Sequence, residues 1–396
     1  MCPLVEVDAD SDRELHHVAL PYGIDGWVAI DRLVNGVAAG GLRVHRSVDA
    51  AEVRALASAM SDKWALMGIP LGGAKAGIAA PADHPHKGRL LEAFAEHLSP
   101  LLQERLITGP DMGTTFPELE SVFAIAGVDP IAQLWDAAPV GPYRPPAGLT
   151  LHELGTLQVP DITGRGVGAA ALAAMGSAGV DIAVATAAVQ GFGAVGAAAA
   201  EEFVRHGGRV VAIADELGSL CADALPISSL RRITDAHGRV DRAALAAGTT
   251  AALQAVRQQG PDAWWQQEVT LLIPAAVADA ITPAMVPQLR CQALIEGGNI
   301  VASPSVEEAL VRRGVKVVPD VIAGAGLACA FGLLGTGQAP LENLGTLTLH
   351  RIAGATHALL HTGLEPRAAV RELVAQIEAV PQDSGEVVPW LVREDY

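Results

Sequence analysis

The sequence predicts an α/β protein with two domains, the second of which is built on a doubly wound parallel sheet. The chain has 396 residues, half of them hydrophobic, which is enough for two cores of ordinary size. From about Gly164 onwards, short apolar runs of strand length alternate with longer runs at helical spacing. This alternation is typical of a parallel sheet with crossover helices.

The first third of the chain mixes strand and helix signals. Residues 26–30 read as a strand. Apolar residues then recur at helical spacing between Val53 and Met67, which predicts an amphipathic helix. Ser47 or Asp49 can cap this helix, because either side chain can accept a hydrogen bond from the first-turn backbone. The N-terminal domain is therefore predicted to contain both strands and helices.

The strongest boundary signal lies in residues 137–148, which contain four prolines and two glycines. Proline and glycine interrupt regular structure, so such a cluster favours a linker. We therefore expect one domain at residues 1–147 and a second at residues 148–335. The tail is mostly helical in pattern, and we expect residues 336–396 to pack back towards the N-terminal domain.

The second domain begins with a helix, predicted over 167–175, and a strand, predicted over 182–189. A further strand runs over 209–214 and finishes at Asp215. Three more strands complete the predicted parallel sheet: 269–273, 292–295 and 315–318.

Composition and charge limit the classes of partner. The formal net charge of −17 argues against a nucleic-acid surface, because phosphate binding needs clustered Lys and Arg. Residues 1–17 are acidic and lack the basic start and apolar run of a secretory signal. The apolar run 184–200 is interrupted by Gln190 and three glycines, so it is interpreted as strand, turn and helix start, not as a membrane span.

The cysteines and lysines are informative through their placement. No metal-ligand or redox spacing links the four cysteines, so we expect reduced thiols in a soluble, cytoplasmic protein and no metal site: Cys2, Cys221, Cys291 and Cys329. Only four of the 27 basic residues are lysines: Lys63, Lys75, Lys87 and Lys316. A buried lysine can lose its proton, whereas arginine cannot. Chance placement explains Lys87 and Lys316 well, and Lys63 and Lys75 poorly.

A glycine-rich turn separates a predicted strand from a predicted helix in the second domain. It has the pattern G-x-G-x-x-G and consists of Gly191, Phe192, Gly193, Ala194, Val195 and Gly196. The first glycine permits the tight turn, the second lets the backbone approach a pyrophosphate, and the third lets helix and strand pack closely. The helix N-terminus supplies N–H groups to the phosphates. The pattern predicts a Rossmann-type, dinucleotide-binding domain.

The next strand finishes at an acidic residue that bears on the choice of cofactor. Asp215 follows Gly196 by 19 residues, close to the ~20-residue spacing of the carboxylate that binds the ribose 2′-hydroxyl. Asp215 and Glu216 would repel a 2′-phosphate, and no arginine follows within the next ten residues. NAD is therefore favoured over NADP as the cofactor.

Three upstream segments have the composition of a reactive site: Gly40-Gly41-Leu42-Arg43, Lys63 with Pro70–Gly77, and Gly109–Thr114. Five more segments follow in order: Thr163–Val167, Gly191–Gly196, Ile273–Ala276, Glu296–Asn299 and Pro319-Asp320. Together they closely resemble the family of glutamate, leucine, phenylalanine and valine dehydrogenases. The resemblance spans roughly residues 26–330, and an ordered series of this kind is more specific than any single motif.

The resemblance implies roles for individual residues. Lys75 would be the catalytic lysine that polarises the 2-oxo group and activates water, and Asp111 would shuttle protons to and from the nitrogen. Lys63 would hold the substrate α-carboxylate, helped by backbone N–H groups near Gly40 and Gly41. The implied cofactor residues outside the glycine turn are Thr163, Ala275 and Asn299, and Asn299 would also face the substrate. The resemblance further implies a homo-oligomer assembled through the N-terminal domain.

Each candidate also has a structural interpretation when it is taken alone. Lys63 could lie at the edge of an amphipathic helix, and Asp111 could be an ordinary turn residue after Gly-Pro. Arg43 is interpreted as supporting the structure, not as a substrate contact. As an ordered set followed by a dinucleotide fold, the residues favour function.

Two departures from the family bear on the substrate. Ala39 stands where glutamate-specific members carry a lysine, and Phe331 stands near the position of their serine. Both changes remove partners for a second carboxylate, so an apolar aliphatic or aromatic amino acid fits better than glutamate. Gly324 and Leu327 replace an asparagine and a glycine of the family's Asn-Ala-Gly-Gly turn.

Three functions follow as hypotheses. The first is NAD-dependent oxidative deamination of an apolar L-amino acid, or the reverse reductive amination of its 2-oxo acid. The second keeps the hydride chemistry but uses an atypical amine or oxo acid, and it is motivated by Gly324 and Leu327. The third is a non-catalytic NAD-binding paralogue, against which the joint presence of Lys63, Lys75 and Asp111 speaks.

Overall fold

The computed structural model describes residues 4–7, 13–380 and 388–391. Cys2 and most of the acidic N-terminus lie outside the described residues. The chain divides into two compact units: Met1–Pro160 with Ala328–Gly345, and Asp161–Leu327 with Thr346–Tyr396. Each unit combines a sheet with helices, which confirms the predicted two-domain α/β class.

The first unit contains a six-stranded sheet in the part of the chain that the structure describes, with the strand order β1-β2-β3-β5-β4-β6. β1, β2, β3 and β5 pair antiparallel, whereas β4 pairs parallel with both β5 and β6. The strands are β1 (Leu4–Val7), β2 (Glu14–Leu20), β3 (Ile24–Ile30), β4 (Ala38–Val44), β5 (Gly72–Ile78) and β6 (Leu106–Pro110).

The helices of the first unit cover this sheet. In α1 (Ala50–Leu66), the helix that the sequence predicts, Asp49 is the N-cap and accepts a hydrogen bond from the Glu52 N–H at 2.8 Å. Of the two caps that the sequence allows, the structure therefore uses Asp49. Gly68, with φ +63°, and Pro70 follow the end of this helix. The helices are α1 (Ala50–Leu66), α2 (Lys87–Glu104), α3 (Phe116–Ala126), α4 (Pro130–Ala137) and α5 (Leu151–Glu153), which continues as a π-helical turn (Leu154–Gln158).

The second unit contains a seven-stranded sheet, counted over the described ranges, with the order β10-β9-β8-β7-β11-β12-β13. The five strands from β8 to β13 in this order are parallel, and β9 and β10 add an antiparallel edge that the sequence did not predict. The chain order reverses between β7 and β11, which is the switch point of a doubly wound sheet. The strands are β7 (Thr186–Gln190), β8 (Arg209–Asp215), β9 (Gly218–Cys221), β10 (Arg257–Gln259), β11 (Glu268–Pro274), β12 (Arg290–Ile295) and β13 (Lys316–Val318).

The helices after residue 160 follow the predicted alternation. They are α6 (Ile162–Ala178), α7 (Ala194–Arg205), α8 (Ile227–Arg232), α9 (Arg242–Ala246), α10 (Ala251–Gln254), α11 (Pro304–Arg312), α12 (Asp320–Ala323), α13 (Gly326–Gly335), α14 (Leu344–His361) and α15 (Pro366–Glu378). Short 3-10 turns occupy Pro21–Gly23, Ile182–Val184, Val286–Gln288, Leu341–Asn343 and Pro389–Leu391.

Two predicted boundaries of the second unit change for local reasons. The strand expected over 182–189 begins only at Thr186, because the Asp181 carboxylate accepts from the Ala183 N–H at 3.0 Å and caps a 3-10 turn. The helix expected over 167–175 begins five residues earlier and takes in Gly164. A Cβ at Gly164 would lie 2.4 Å from the Val195 carbonyl oxygen, so glycine lets α6 pack closely on α7.

The division of the chain also differs from the expectation. The first unit continues to residue 160, past the proline cluster, because Phe116 and Gly155 are in close contact. The C-terminal segment was expected to pack towards the N-terminal domain from residue 336 onwards. Only residues up to 345 lie with the first unit. The rest belongs to the second, where Arg367 of α15 bonds to carboxylates of that unit and His357 of α14 contacts Ser177.

No helix among the described residues is long and apolar enough to span a membrane. The apolar run from 184 to 200 forms a 3-10 turn, β7, the glycine turn and the start of α7, as the sequence indicates. The described cysteines, Cys221, Cys291 and Cys329, carry free thiols. The cytoplasmic location stays a prediction.

Candidate active site

Neighbouring strands of the first unit bring the predicted reactive residues together. β4 lies between β5 and β6 and is parallel to both. Lys75 lies within β5, and Asp111 directly follows β6. Gly41 lies on β4 and pairs with Gly109 of β6. The sheet thereby places a lysine and a carboxylate on either side of a glycine strand.

The Lys75 ammonium contacts the Asp111 carboxylate directly. Lys75 Nζ lies 2.5 Å from Asp111 Oδ2, and the two side chains are 7% and 16% exposed. Burial alone would raise the pKa of the Asp111 carboxyl, but Lys75 and Arg43 outweigh it and hold that pKa well below its usual range. Asp111 is therefore a carboxylate at neutral pH, and its negative charge is stabilised by the two cations beside it.

Glycine at position 41 is required by this contact. A Cβ there would lie 2.9 Å from Asp111 Cβ and 3.2 Å from Lys75 Nζ. Any larger residue would push the lysine and the carboxylate apart. The second glycine of the Gly-Gly pair thus has a steric reason in the charged pair beside it, whereas Gly40 packs against the Ala74 backbone.

Arg43 is a second cation that contacts the same oxygen of the Asp111 carboxylate. Arg43 Nε donates to Asp111 Oδ2 at 3.0 Å, and Arg43 Nη1 donates to Glu52 Oε1 at 2.6 Å. Arg43 is 8% exposed, and its Nη2 is buried without a hydrogen-bond partner among the described residues. The sequence interpretation of Arg43 as a supporting residue agrees with these contacts, although the carboxylate it supports is Asp111.

The loop after β6 is fixed by a hydroxyl. The Asp111 backbone N–H donates to Thr114 Oγ1 at 2.9 Å, and that hydroxyl donates to the Leu42 carbonyl at 2.8 Å. Gly113, with φ +77°, packs so closely that a Cβ would lie 2.0 Å from the Val44 carbonyl oxygen. The position of Asp111 is therefore set by its backbone as well as by its ion pairs.

The other predicted substrate residues of the first unit lie on neighbouring elements. Lys63 is buried in the last turn of α1, and Gly40 packs against the Ala74 backbone. Ala39 is 2% exposed, and its carbonyl accepts a hydrogen bond from the Trp64 indole N–H at 2.8 Å. Phe331 is partly exposed on α13.

The glycine turn of the second unit lies at the switch point between β7 and β11. Gly191 has φ +85°, and a Cβ there would lie 2.9 Å from Ala276 Cβ and 3.0 Å from the Ala275 carbonyl oxygen. A Cβ at Gly196 would lie 2.0 Å from the Gly191 carbonyl oxygen. A Cβ at Gly193 would meet nothing within 4 Å.

This pattern fits a dinucleotide. The first and third glycines are needed for the turn and for packing, and the second faces open space, as a pyrophosphate requires. Of the remaining turn residues, Phe192 is buried in the core, whereas Ala194 and Val195 begin α7. The first turn of a helix has N–H groups without intrahelical acceptors, and these groups would hold the phosphates.

Asp215 ends β8 as predicted, but its carboxylate is already engaged. The side chain is 3% exposed and forms a double contact with Arg242, at 2.9 Å from Oδ2 and 2.7 Å from Oδ1. It also accepts from the Val240 and Leu217 N–H groups, both at 2.9 Å. Four hydrogen bonds leave it no acceptor for a ribose hydroxyl in this conformation. No arginine follows Asp215 within ten residues of the sequence, but the fold brings Arg242, 27 positions later, into contact with it.

Asn299 lies in a loop held at the switch point. The Gly297 and Gly298 N–H groups donate to the Pro274 carbonyl, at 2.9 and 3.0 Å, beside Ala275. The next residue, Ile300, has φ +53°, and its N–H donates to Asp320 Oδ2 at 3.0 Å. A β-branched residue in this region of φ is unusual, and the surrounding contacts hold it there.

Thr163 lies in the first turn of α6, and its hydroxyl accepts from the Leu327 N–H at 3.3 Å. A Cβ at Gly326 would lie 2.6 Å from Thr163 Cα, so the start of α13 packs directly on the start of α6. The departure at Leu327 therefore lies against a predicted cofactor residue.

Sequence reasoning missed the arginine partners of these carboxylates. Arg242 binds Asp215, and Arg239 pairs with the exposed Glu216 at 2.6 Å. Arg367 lies 3.4 Å from Glu296, which directly precedes Gly297. An arginine far along the chain has no local pattern that ties it to a particular carboxylate. The one signal that the sequence offered for these ion pairs was its large number of arginines.

The fold and these two groups of residues define a class: a two-domain α/β protein with a Rossmann-type dinucleotide-binding unit and a buried Lys–Asp pair in the other unit. The family model "Glutamate/Leucine/Phenylalanine/Valine dehydrogenase" matches residues 155–330. The model "Glu/Leu/Phe/Val dehydrogenase, dimerisation domain" matches residues 16–125. The chain belongs to this family of amino-acid dehydrogenases, and it carries the family's dimerisation domain, which confirms the resemblance and agrees with the expected oligomer.

Curated relatives include enzymes named for glutamate. The chain is 30% identical over 307 residues to "Glutamate dehydrogenase" of Thermotoga maritima, covering 76% of this chain and 70% of the relative. It is 30% identical over 292 residues to "NADP-specific glutamate dehydrogenase A1" of Halobacterium salinarum, covering 72% of this chain and 66% of the relative. The second match therefore spans just under two thirds of that relative.

Solved structures show the same fold. The hetero-hexameric glutamate dehydrogenase of Thermus thermophilus superposes with a TM-score of 0.72 at 24% identity, covering 94% of this chain and 89% of that chain. The glutamate dehydrogenase of Plasmodium falciparum gives 0.73 at 16% identity, covering 95% of this chain and 81% of that chain.

Proposed function

We propose that the protein catalyses NAD-dependent oxidative deamination of an apolar L-amino acid to its 2-oxo acid and ammonia, or the reverse reductive amination. The observation that carries this proposal is the 2.5 Å contact between Lys75 Nζ and Asp111 Oδ2 beside Gly41. It pairs a proton donor with a proton acceptor, as interconversion of an amine and a carbonyl requires.

The chain's residues divide the chemistry between them. Lys75 donates a hydrogen bond that polarises the 2-oxo oxygen, and it activates the water that attacks the iminium carbon. The Asp111 carboxylate takes up a proton from the substrate nitrogen. Lys63 and the N–H groups near Gly40 hold the α-carboxylate. The bound dinucleotide supplies the hydride acceptor, and the protein contributes orientation and charge. The proposed residues that bind this cofactor are Thr163, Gly191–Gly196, Ala275 and Asn299.

For the cofactor we retain NAD and reassign the carboxylate that favours it. The Asp215 carboxylate is fully bonded to Arg242 and to backbone N–H groups. Glu216 directly follows β8, is 67% exposed and forms an ion pair with Arg239. Contacts at the end of β8 link three carboxylates with two arginines, and a fourth carboxylate caps the helix of Arg242, a balance that is unfavourable for a 2′-phosphate: Asp215, Glu216 and Asp235 with Arg239 and Arg242, and Asp241 at the N-cap of α9. The NADP-specific relative marks NADP as the competing cofactor.

An apolar substrate is supported by the residue before the glycine pair. Ala39 has no charge and is buried beside Trp64, and Phe331, which is partly exposed on α13, has no polar group for a carboxylate. A second substrate carboxylate would be costly without a partner. Glutamate is the competing substrate, because the relatives described above are named for it.

An atypical amine or oxo acid is the second candidate function. It is favoured by Leu327, whose N–H contacts the Thr163 hydroxyl where the family's turn differs. A non-catalytic paralogue is disfavoured by the buried and fully formed Lys75–Asp111 contact. We also propose a homo-oligomer assembled through the dimerisation domain.

The test is NADH formation at alkaline pH with a panel of L-amino acids that includes glutamate, beside direct titrations of NADH and NADPH. Turnover of leucine, valine or phenylalanine with tighter NADH binding is expected. Preferential turnover of glutamate would contradict the interpretation of Ala39 and Phe331. NADH binding without turnover of any amino or oxo acid would favour the non-catalytic alternative.

A further inference from the structure

One arginine of the C-terminal helix α15 contacts three buried carboxylates of the second unit. Arg367 Nε and Nη2 donate to Glu307 at 2.6–3.1 Å, Nη1 donates to Asp320 Oδ1 at 3.1 Å, and Nη2 reaches Glu296 Oε2 at 3.4 Å. Glu296 and Glu307 are fully buried, and Asp320 is 7% exposed. Three carboxylates on one guanidinium are more than a helix tether requires.

Two of these carboxylates hold the two ends of one loop. Glu296 immediately precedes Gly297, and its Oε2 accepts from the Asp320 N–H at 3.2 Å. Asp320 Oδ2 accepts from the N–H of Ile300, the last residue of the loop, at 3.0 Å. Arg367 therefore contacts Glu296, which precedes the loop, directly, and it reaches Ile300, the last residue of the loop, through Asp320.

The loop needs such an anchor. Ile300 is β-branched and has φ +53°, a conformation that L side chains rarely adopt. Strained residues persist only where their surroundings hold them, and they cluster at ligand sites. The same loop donates two hydrogen bonds to Pro274, which precedes Ala275 and the glycine turn.

We infer that Arg367 is a positioning residue for the dinucleotide: through Glu296 and Asp320 it fixes the Gly297–Ile300 loop, and with it Asn299, in the conformation that binds the cofactor. The inference rests on the proposed function for the identity of the ligand. According to this inference, a residue of α15, which is not part of the sheet, influences the affinity for the cofactor.

The test measures two quantities in the full-length protein: the NADH dissociation constant, and hydrogen exchange of the peptide that contains Ile300. Arg367→Met is compared with Arg371→Met, an exposed arginine on the same helix. Arg367→Met is expected to weaken NADH binding about tenfold and to speed exchange at Ile300, whereas Arg371→Met leaves both unchanged. Arg367→Lys should fall between them, because an ammonium cannot span three carboxylates.

A second background separates positioning from a general loss of structure. Ile300→Gly removes the strain, since glycine adopts positive φ freely. In that background, Arg367→Met should weaken NADH binding only about two- to threefold. An equal loss in both backgrounds would overturn the inference, as would wild-type affinity and exchange in Arg367→Met. Should Arg367→Met not fold, Asp320→Asn and Arg367→Lys carry the same comparison.

The exchange measurement keeps this test distinct from the proposed function. If the wild-type protein does not bind NADH, the proposed cofactor is wrong, and exchange at Ile300 still decides whether Arg367 holds the loop. If NADH binds but no amino acid is turned over, the affinity comparison decides it.

Discussion

Two buried clusters of charge, one in each unit, differ in the balance of their ions. In the first unit, Glu52 and Asp111 meet Arg43 and Lys75, so two carboxylates face two cations. In the second unit, three carboxylates contact the guanidinium of Arg367: Glu296, Glu307 and Asp320. The clusters thus combine the same chemical groups in different proportions.

The difference sends carboxyl pKa values in opposite directions. Burial raises the pKa of every such group. For Asp111, Lys75 and Arg43 outweigh burial, and the pKa lies well below its usual range. For Glu296, burial and repulsion from Glu307 and Asp320 raise the pKa well above its usual range. Burial is common to both, so the supply of cations decides which carboxyl is ionised.

Removing the cation of the second cluster should have the largest effect on stability. Arg367→Met removes the guanidinium that three buried carboxyl groups share, and breaking a buried ion pair in this way costs about 3 kcal/mol or more. Urea unfolding at matched protein concentration measures it, with Arg371→Met as the control. Equal midpoints for the two variants would contradict the account of this cluster.

The same change of carboxylate to amide should act in opposite directions in the two clusters. At pH 7, Asp111→Asn leaves Arg43 and Lys75 without their shared carboxylate and should destabilise the protein by about 2 kcal/mol. Glu296→Gln resembles the protonated acid, which its environment favours, and should be neutral or stabilising. Urea midpoints across pH compare the two variants with the wild-type protein.

The two variants, Asp111→Asn and Glu296→Gln, should change the pH dependence of stability in different ways. Because the folded pKa of Asp111 is lowered, its stabilisation is present above about pH 3.9 and is lost as the pH falls below that value. The folded pKa of Glu296 is raised, so its contribution to stability falls as pH rises above about 4.3, and Glu296→Gln removes this contribution. Parallel curves for Glu296→Gln and the wild-type protein would contradict the raised pKa.

Much of the fold and of the first cluster could be predicted because the signals were local. The glycine turn, the strand before it and the acidic end of β8 lie within 30 residues, and each follows from backbone sterics or periodicity. Lys75 and Asp111 were identified by resemblance to a family, which supplies an order of motifs.

The partners of these residues could not be predicted. Arg43 and Asp111 are 68 positions apart, and Arg367 and Glu296 are 71 apart. Whether such residues meet depends on how the sheet and the helices bring distant parts of the chain together, and the periodicity of the sequence does not predict it. The same applies to Arg242, which takes up the carboxylate of Asp215 and so changed the expected role of that residue.

The smallest effect is expected at the cap of the helix that carries Glu52. Asp49→Ala removes the N-cap of α1 and should cost about 1 kcal/mol, while Ser47→Ala, at the other cap that the sequence allows, should cost nothing measurable. Thermal unfolding midpoints compare the two variants. A larger loss for Ser47→Ala would mean that the helix begins elsewhere.

The most direct test of the central claim is NADH formation by Lys75→Ala beside Lys87→Ala. Lys87 belongs to the same unit and forms its ion pair with Glu118, at 2.7 Å, and not with Asp111, so it is a matched control. A fall in kcat of about 10²–10⁴-fold is expected for Lys75→Ala and wild-type turnover for Lys87→Ala. Undiminished turnover in Lys75→Ala would contradict the assignment of the Lys75–Asp111 pair as the catalytic centre.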